Sequence, residues 1–278
     1  MSRYRLLAID IDGTLVNSND ELTPATQAAL VRAGQAGIHV VLATGRRYSR
    51  TLHLVEPLAI DVPLVTASGA LVKDPATHET LYRAEFDRQV LCEALAVVRR
   101  RGYDPVLCAD TYTQGFDFYY PRAGVESPEL AEYLALNPNS GRLRPELVDD
   151  PPPDVFNGFV MGTSAEMSAL EAELQRQLPG KLYTHVLRSP RYAGYMCELS
   201  PAGATKWWAI QRLAAAWSID EASICAVGDD VNDIPMIRAA GLGVAMGNAL
   251  QAVKAAADRI APTHDENGVA EVVEWLLS

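Results

Sequence analysis

The 278-residue chain contains no apolar run approaching the roughly 20 residues that a membrane-spanning helix requires, so no membrane partner is expected. It is also short of positive charge: 24 Lys and Arg stand against 35 Asp and Glu, a net charge of −11. No extended basic stripe offsets that balance, which excludes a nucleic-acid surface built on phosphate contacts. The first residues, Met1 to Arg5, lack the layout of a secretory leader, and a cytoplasmic location is expected. The four cysteines, Cys92, Cys108, Cys197 and Cys225, are widely separated with no CxxC spacing. They read as buried thiols in a reducing compartment rather than as zinc ligands or disulfides. The five histidines share no metal spacing, and the chain has neither an internal repeat nor a low-complexity tail.

What is present is a rhythm of short apolar runs and helical stretches. Up to Pro63 the order is strand 6–9, a helix opened by Thr23-Pro24 and ended by Gly37, strand 38–43, a helix over about 47–58 and strand 63–66. Such a βαβαβ order predicts a parallel sheet with right-handed crossovers. The last third repeats it with helix 204–216, strand 223–227, helix 234–240, strand 243–245, helix 250–257, an edge strand at 258–261 and helix 269–277. The middle is different. It reads as helix 88–101, aromatic strand pieces within 111–119, a proline-rich connector over 145–154, strand 155–161, helix 165–178 and strands 181–187 and 192–199. The expected fold is therefore α/β: a Rossmann-like, doubly wound, mostly parallel core over residues 1–84 and 189–278, with an α+β module inserted over 85–188.

Reactive residues collect where apolar runs end. The first run, Leu6 to Ile9, stops at Asp10-Ile11-Asp12-Gly13-Thr14. Two carboxylates at a strand's carboxyl end sit where open α/β sheets bind ligands. Buried like charges need a cation or a shared proton, and Mg²⁺ with oxygen ligands is the simplest answer. Taken alone, the same pair also fits a turn that stops a strand. After strand 38–43 comes Thr44-Gly45-Arg46, whose hydroxyl and loop amides suit phosphate oxygens, with Gly45 permitting close approach. Thr44 could equally cap the next helix. Lys206 stands early in a helix, where the dipole favours anions over cations, and that conflict points to a functional reason. Lastly, strand 223–227 ends in Gly228-Asp229-Asp230-Val231-Asn232-Asp233, and one N-cap does not account for three acids.

Together these stretches describe phosphoryl transfer through a covalent aspartyl phosphate, with a carboxylate nucleophile, a second acid for protons, and metal and lysine to neutralise charge. In this order they resemble motifs one to four of the haloacid dehalogenase superfamily. The resemblance implies Asp10 as nucleophile and metal ligand, and Asp12 as acid/base residue lending the metal its backbone carbonyl. It further implies Thr44 as phosphate contact, Lys206 as the third-motif lysine, and Asp229 as metal ligand with Asn232 and Asp233 completing a GDxxND form. Segments 198–203 and 240–249, the latter containing Asn248, resemble those of the Cof-type phosphatases, and the insert resembles their α/β cap. Asp233 and Asn248 are expected to support the ligating residues from behind. Two residues depart from that pattern: Ser68 stands where asparagine is usual, and Trp207 where glycine is common.

The implied activity is Mg²⁺-dependent hydrolysis of a small phosphorylated metabolite, a sugar or cofactor-like phosphomonoester, with Thr44, Gly45, Arg46, Lys206 and Asn232 on the substrate. Arg122 and Arg188 are candidate contacts from the insert. A phosphomutase would use the same intermediate. A phosphoacceptor signalling protein would share the Asp, Thr and Lys set but needs only one small domain.

Overall fold

A computed structural model describes residues 3–58, 60–122, 127–188 and 192–278. The chain opens with β1 (Leu6–Asp10), a five-residue turn over Ile11–Leu15, α1 (Pro24–Gln35) and β2 (His39–Ala43). Helix α1 starts as expected: the Thr23 hydroxyl accepts the Thr26 N–H at 3.2 Å, and proline follows at the first helical position. The helix expected over 47–58 breaks into a 3₁₀ turn, the short α2 (Leu52–Val55) and a second 3₁₀ turn. Thr51 accounts for the first break, because its hydroxyl bonds back to the Tyr48 carbonyl at 2.7 Å. Strands β3 (Leu64–Thr66), β4 (Leu71–Lys73) and β5 (Thr80–Arg83) follow.

The middle of the chain runs α3 (Arg88–Arg100), β6 (Val106–Ala109), β7 (Phe118–Tyr120), α4 (Pro128–Leu136), β8 (Gly141–Leu143), β9 (Val155–Gly162), α5 (Ser164–Gln177), β10 (Leu182–Leu187) and β11 (Tyr195–Pro201). It closes with α6 (Lys206–Ala216), β12 (Ile224–Gly228), α7 (Ile234–Ala239), β13 (Leu242–Ala245), α8 (Gln251–Lys254), β14 (Arg259–Ile260) and α9 (Gly268–Leu277). Helix α8 is shorter than expected. Asp258 is already drawn into the sheet, exchanging bonds with Gly243 through its N–H (2.9 Å) and its carboxylate (2.8 Å).

Contacts divide the chain into two compact units, Met1–Tyr82 with Thr205–Ser278, and Arg83–Ala204. The return boundary expected at 188/189 abuts residues 189–191, which lie outside the described residues, and the contacts place it at 204/205. The physical reason is that β11 pairs antiparallel with β10 and β9 and so belongs to the second sheet.

The first unit carries an eight-stranded sheet of order β14-β13-β12-β1-β2-β3-β4-β5. Pairing is parallel from β14 to β3 and turns antiparallel at β4. Chain order runs outward from β1 in one direction and from β12 in the other, so right-handed crossovers place α1 and α7 on opposite faces. Packing agrees, since α1 lies against α9 and α7 against α6. Covered on both faces, β1 buries every residue, which is why it reads as an unbroken apolar run. The expected doubly wound core is the one observed.

In the second unit the sheet order is β10-β11-β9-β6-β7-β8, antiparallel except between β7 and β8. One face is sealed by α3 and α5, through Val90, Ala94 and Val98 against Met167, Leu170 and Leu174. Across the sheet Tyr133 of α4 stacks edge-on to Phe159 of β9, with ring centroids 5.0 Å apart.

Candidate active site

The strand order reverses beside β1, and a ligand site is expected at the carboxyl end of such a switch point. Asp10 is the last residue of β1, Thr44 follows β2, and Asp229 follows β12. Three of the four sequence motifs thus arrive at one edge because three adjacent parallel strands end there.

The fourth motif arrives through α6. Thr205 caps this helix by accepting the Trp208 N–H at 3.2 Å, which leaves Lys206 as its first residue. The amine of Lys206 is buried and donates to Asp10 Oδ1 at 2.5 Å and to Asp233 Oδ1 at 2.8 Å. Two carboxylates therefore resolve the conflict between a lysine and a helix N-terminus, and they hold the ammonium strongly charged against burial. Close approach sets its position: a β-carbon on Gly69 would lie 2.2 Å from the Thr205 carbonyl, and Gly69 has φ +105°. Ser68, the departure beside it, also takes a left-handed conformation, which asparagine tolerates better than serine. Trp207 is buried in the first turn of α6.

Asp233 uses its other oxygen to accept the N–H groups of Asp229 (3.1 Å) and Asp230 (3.2 Å), so one oxygen is held by Lys206 and the other by the loop. Asp229 accepts the Thr14 hydroxyl at 3.2 Å. One oxygen from each of Asp10, Asp229 and Asp233 falls within 4.8 Å of the others. Three acids sharing one ammonium are under-neutralised, and the carboxyls of Asp10 and Asp229 are raised accordingly. Burial first, then Asp233 and Asp230, push the Asp229 carboxyl up to about 7. Burial raises Asp10 well above the carboxylate range, Lys206 pulls it back, and Asp233 and Asp229 raise it again.

The side chain of Asp12 does not join this cluster; Asp233 takes that place. Asp12 is half exposed, and both of its oxygens are engaged by Arg46, Nε to Oδ2 at 2.9 Å and Nη2 to Oδ1 at 2.6 Å. Arg46 is accordingly committed to protein carboxylates rather than turned free toward a substrate. Thr44 is fully buried, and its hydroxyl accepts the Arg46 N–H at 3.0 Å. A β-carbon on Gly45 would meet Ser68 Oγ at an ordinary 3.5 Å. Asn232 has a buried carbonyl oxygen without a partner among the described residues. Asn248 braces the motif-one turn, donating to the Gly13 carbonyl at 2.7 Å and accepting the His264 N–H at 3.0 Å. In the second unit Arg122 is paired with Asp104 at 2.7 Å, and Arg188 is an exposed residue following β10.

Gly13 and Thr14 have no task legible in the sequence, nor has Asp20, which also bonds to Arg46. Only Gly13 left a signal, a glycine directly after two acids. A β-carbon there would lie 2.3 Å from Asp229 Oδ2.

The sequence profile of the haloacid dehalogenase-like hydrolases matches residues 7–273. The chain belongs to this family and is an enzyme of the hydrolase class. Its sequence is 33% identical to phosphatase YwpJ of Bacillus subtilis (strain 168), an alignment that covers 98% of this chain and 100% of that protein. It is 25% identical to the 5-amino-6-(5-phospho-D-ribitylamino)uracil phosphatase YitU of the same organism, covering 98% and 97% of the two chains. Among solved structures, a haloacid dehalogenase-like hydrolase from Bacteroides thetaiotaomicron superposes with a TM-score of 0.79 at 29% identity, covering 98% of this chain and 99% of that one.

Proposed function

We propose that the chain is a Mg²⁺-dependent phosphatase that hydrolyses a small phosphomonoester through an aspartyl phosphate on Asp10. The observation that carries this reading is the Lys206 ammonium on Asp10 Oδ1, beside the clustered Asp229 and Asp233, at the end of the central strand. Lys206 bonds one oxygen of Asp10, which the cation would share, and the other is left for attack on phosphorus.

The donor set suits a hard divalent cation. Its acids are held close together, short of positive charge, with the Asp229 carboxyl pushed up to about 7 when nothing offsets it. Asp10, Asp229 and the main-chain carbonyl of Asp12 would hold Mg²⁺, with Asp233 fixing the loop from behind. Bound there, the ion would supply positive charge to the phosphoryl oxygens. The remaining work falls to the chain. Asp10 attacks phosphorus, the bond to the leaving oxygen breaks, and that oxygen takes a proton from Asp12. Water then attacks the aspartyl phosphate, gives a proton to Asp12, and phosphate departs with Asp10 restored. Lys206 holds Asp10 in line, while the Thr44 hydroxyl and the Gly45 amide accommodate phosphoryl oxygens. Residues 83–204 would select the leaving group. Relatives named for a phosphoribitylaminouracil and for pyridoxal phosphate make sugar-like and cofactor-like monoesters the first substrates to try.

The test is phosphate release from a panel of such esters with and without Mg²⁺. Release is expected only with the ion. Asp10→Asn should form no hydroxylamine-labile phosphoenzyme, whereas Asp12→Asn should still phosphorylate but turn over slower by about 10²-fold or more. Mg²⁺-independent release, or an Asp10→Asn protein as active as the parent, would end the proposal. Isomerised sugar phosphate without free phosphate would make the enzyme a mutase instead.

A further inference from the structure

Arg46 holds two carboxylates with one nearly buried guanidinium, 8% exposed. Its fork lies on Asp12, and Nη2 also donates to Asp20 Oδ1, while Nη1 is buried without a partner among the described residues. The loop carrying Asp20 is built to present it. Asn17 Oδ1 accepts the N–H groups of Asn19 and Glu21, each at 3.0 Å, and the Asn17 carbonyl accepts that of Asp20 at 2.9 Å. Ser18 is tied to Asp265 by its N–H (2.8 Å) and its hydroxyl (2.7 Å). Asp20 itself adopts a left-handed backbone, φ 64°, which a non-glycine residue takes at a cost.

A two-pronged guanidinium contact holds both oxygens of Asp12 on Arg46, outside the cluster that contains Asp10. To serve the leaving oxygen and then water, Asp12 has to come off Arg46 and return once per turnover. Removing the only partner of a nearly buried charge is strongly unfavourable. A second carboxylate on the same guanidinium removes that obstacle.

We propose that Asp20 is a positioning residue for the reaction: it keeps Arg46 paired while Asp12 releases the guanidinium to reach the substrate's leaving oxygen. This rests on the reading of Asp12 as the proton-handling residue. In Asp20→Asn the side chain keeps its shape and asparagine accepts the left-handed backbone, but the charge that holds Arg46 is lost. Arg46 then grips Asp12 alone.

The experiment compares kcat/KM for an alkyl phosphomonoester, whose leaving oxygen needs a proton, with that for p-nitrophenyl phosphate, whose leaving group does not. This ratio reports only steps up to departure of the leaving group. Asp20→Asn should lose about tenfold or more on the alkyl ester and far less on the nitrophenyl ester. Asp12→Asn, run alongside, should show the same selectivity more strongly. Equal losses on both esters, or none on either, overturn the role of Asp20. If Asp12→Asn is selective and Asp20→Asn is not, the proposal falls while the phosphatase reading stands. A parent protein that releases phosphate from neither ester overturns both.

Discussion

At Gly13 a single hydrogen in place of a methyl group lets the motif-one turn lie against the Asp229 carboxylate. The backbone there has φ +75°, and an added β-carbon would stand 2.3 Å from Asp229 Oδ2. Gly13→Ala should therefore cost about 1–2 kcal/mol in backbone strain and displace the carboxylate as well. Activity at saturating Mg²⁺ is expected to fall by far more than the loss of melting temperature explains; an active Gly13→Ala protein would show that Asp229 has room to move. Gly69→Ala acts at a distance, since its β-carbon would meet the Thr205 carbonyl at 2.2 Å and push Lys206 off Asp10. Loss of phosphoenzyme in a still folded Gly69→Ala chain would bear this out, and normal phosphorylation would refute it. Asp10, Lys206 and Asp229 were legible in the sequence because each follows a recognisable strand end or helix start. The grip of Arg46 on Asp12 was not, since their spacing in the chain says nothing about a guanidinium's direction.

Elements set the electrostatics. In the loop after β12 the Asp233 carboxylate accepts the N–H groups of Asp229 and Asp230, and the start of α6 brings the ammonium that Asp233 shares with Asp10. With Asp229 pushed up to about 7, the native chain binds a proton that the unfolded chain, with its ordinary carboxylate, releases at lower pH. The stability this group contributes is present below the ordinary carboxylate range and lost as pH rises through about 7. Metal-free protein should melt lower near about pH 8 than near about pH 5.5, and Mg²⁺ should stabilise it most at the higher pH. Asp229→Asn ought to flatten the dependence; an unchanged slope would place the titrating group elsewhere. Among the elements, long strands and capped helices were readable, whereas β4 and β5 are three and four residues long, too short for a periodic signal. The break at Thr51 is likewise a local competition that apolar spacing does not register.

For the whole molecule, a net charge of −11 sets a repulsive background for an anionic substrate, so attraction has to be local, from Lys206 and the proposed cation. Every clustered acid belongs to the unit formed by Met1–Tyr82 and Thr205–Ser278. Hydrogen exchange with and without Mg²⁺ should accordingly gain protection at amides near 10–14 and 228–233, with little change over 83–204. Equal gains in both units would contradict a metal site confined to the first. The insertion itself was visible as a break in the βαβ rhythm. Its return point was not, because 195–201 reads equally well as a strand of either sheet until its partners β9 and β10 are known.

By itself the sequence determined the doubly wound core and the order of four motifs, since hydrophobic period and strand-end chemistry are local properties of the chain. Only the tertiary structure decided how the acids are shared. Asp233 joins Asp10 and Asp229 because the loop after β12 folds onto Lys206, and Asp12 turns away because Arg46, itself paired with Asp20, grips both of its oxygens. Charges far apart in sequence select partners by distance and burial, and both exist only once the sheet has brought β1, β2 and β12 side by side.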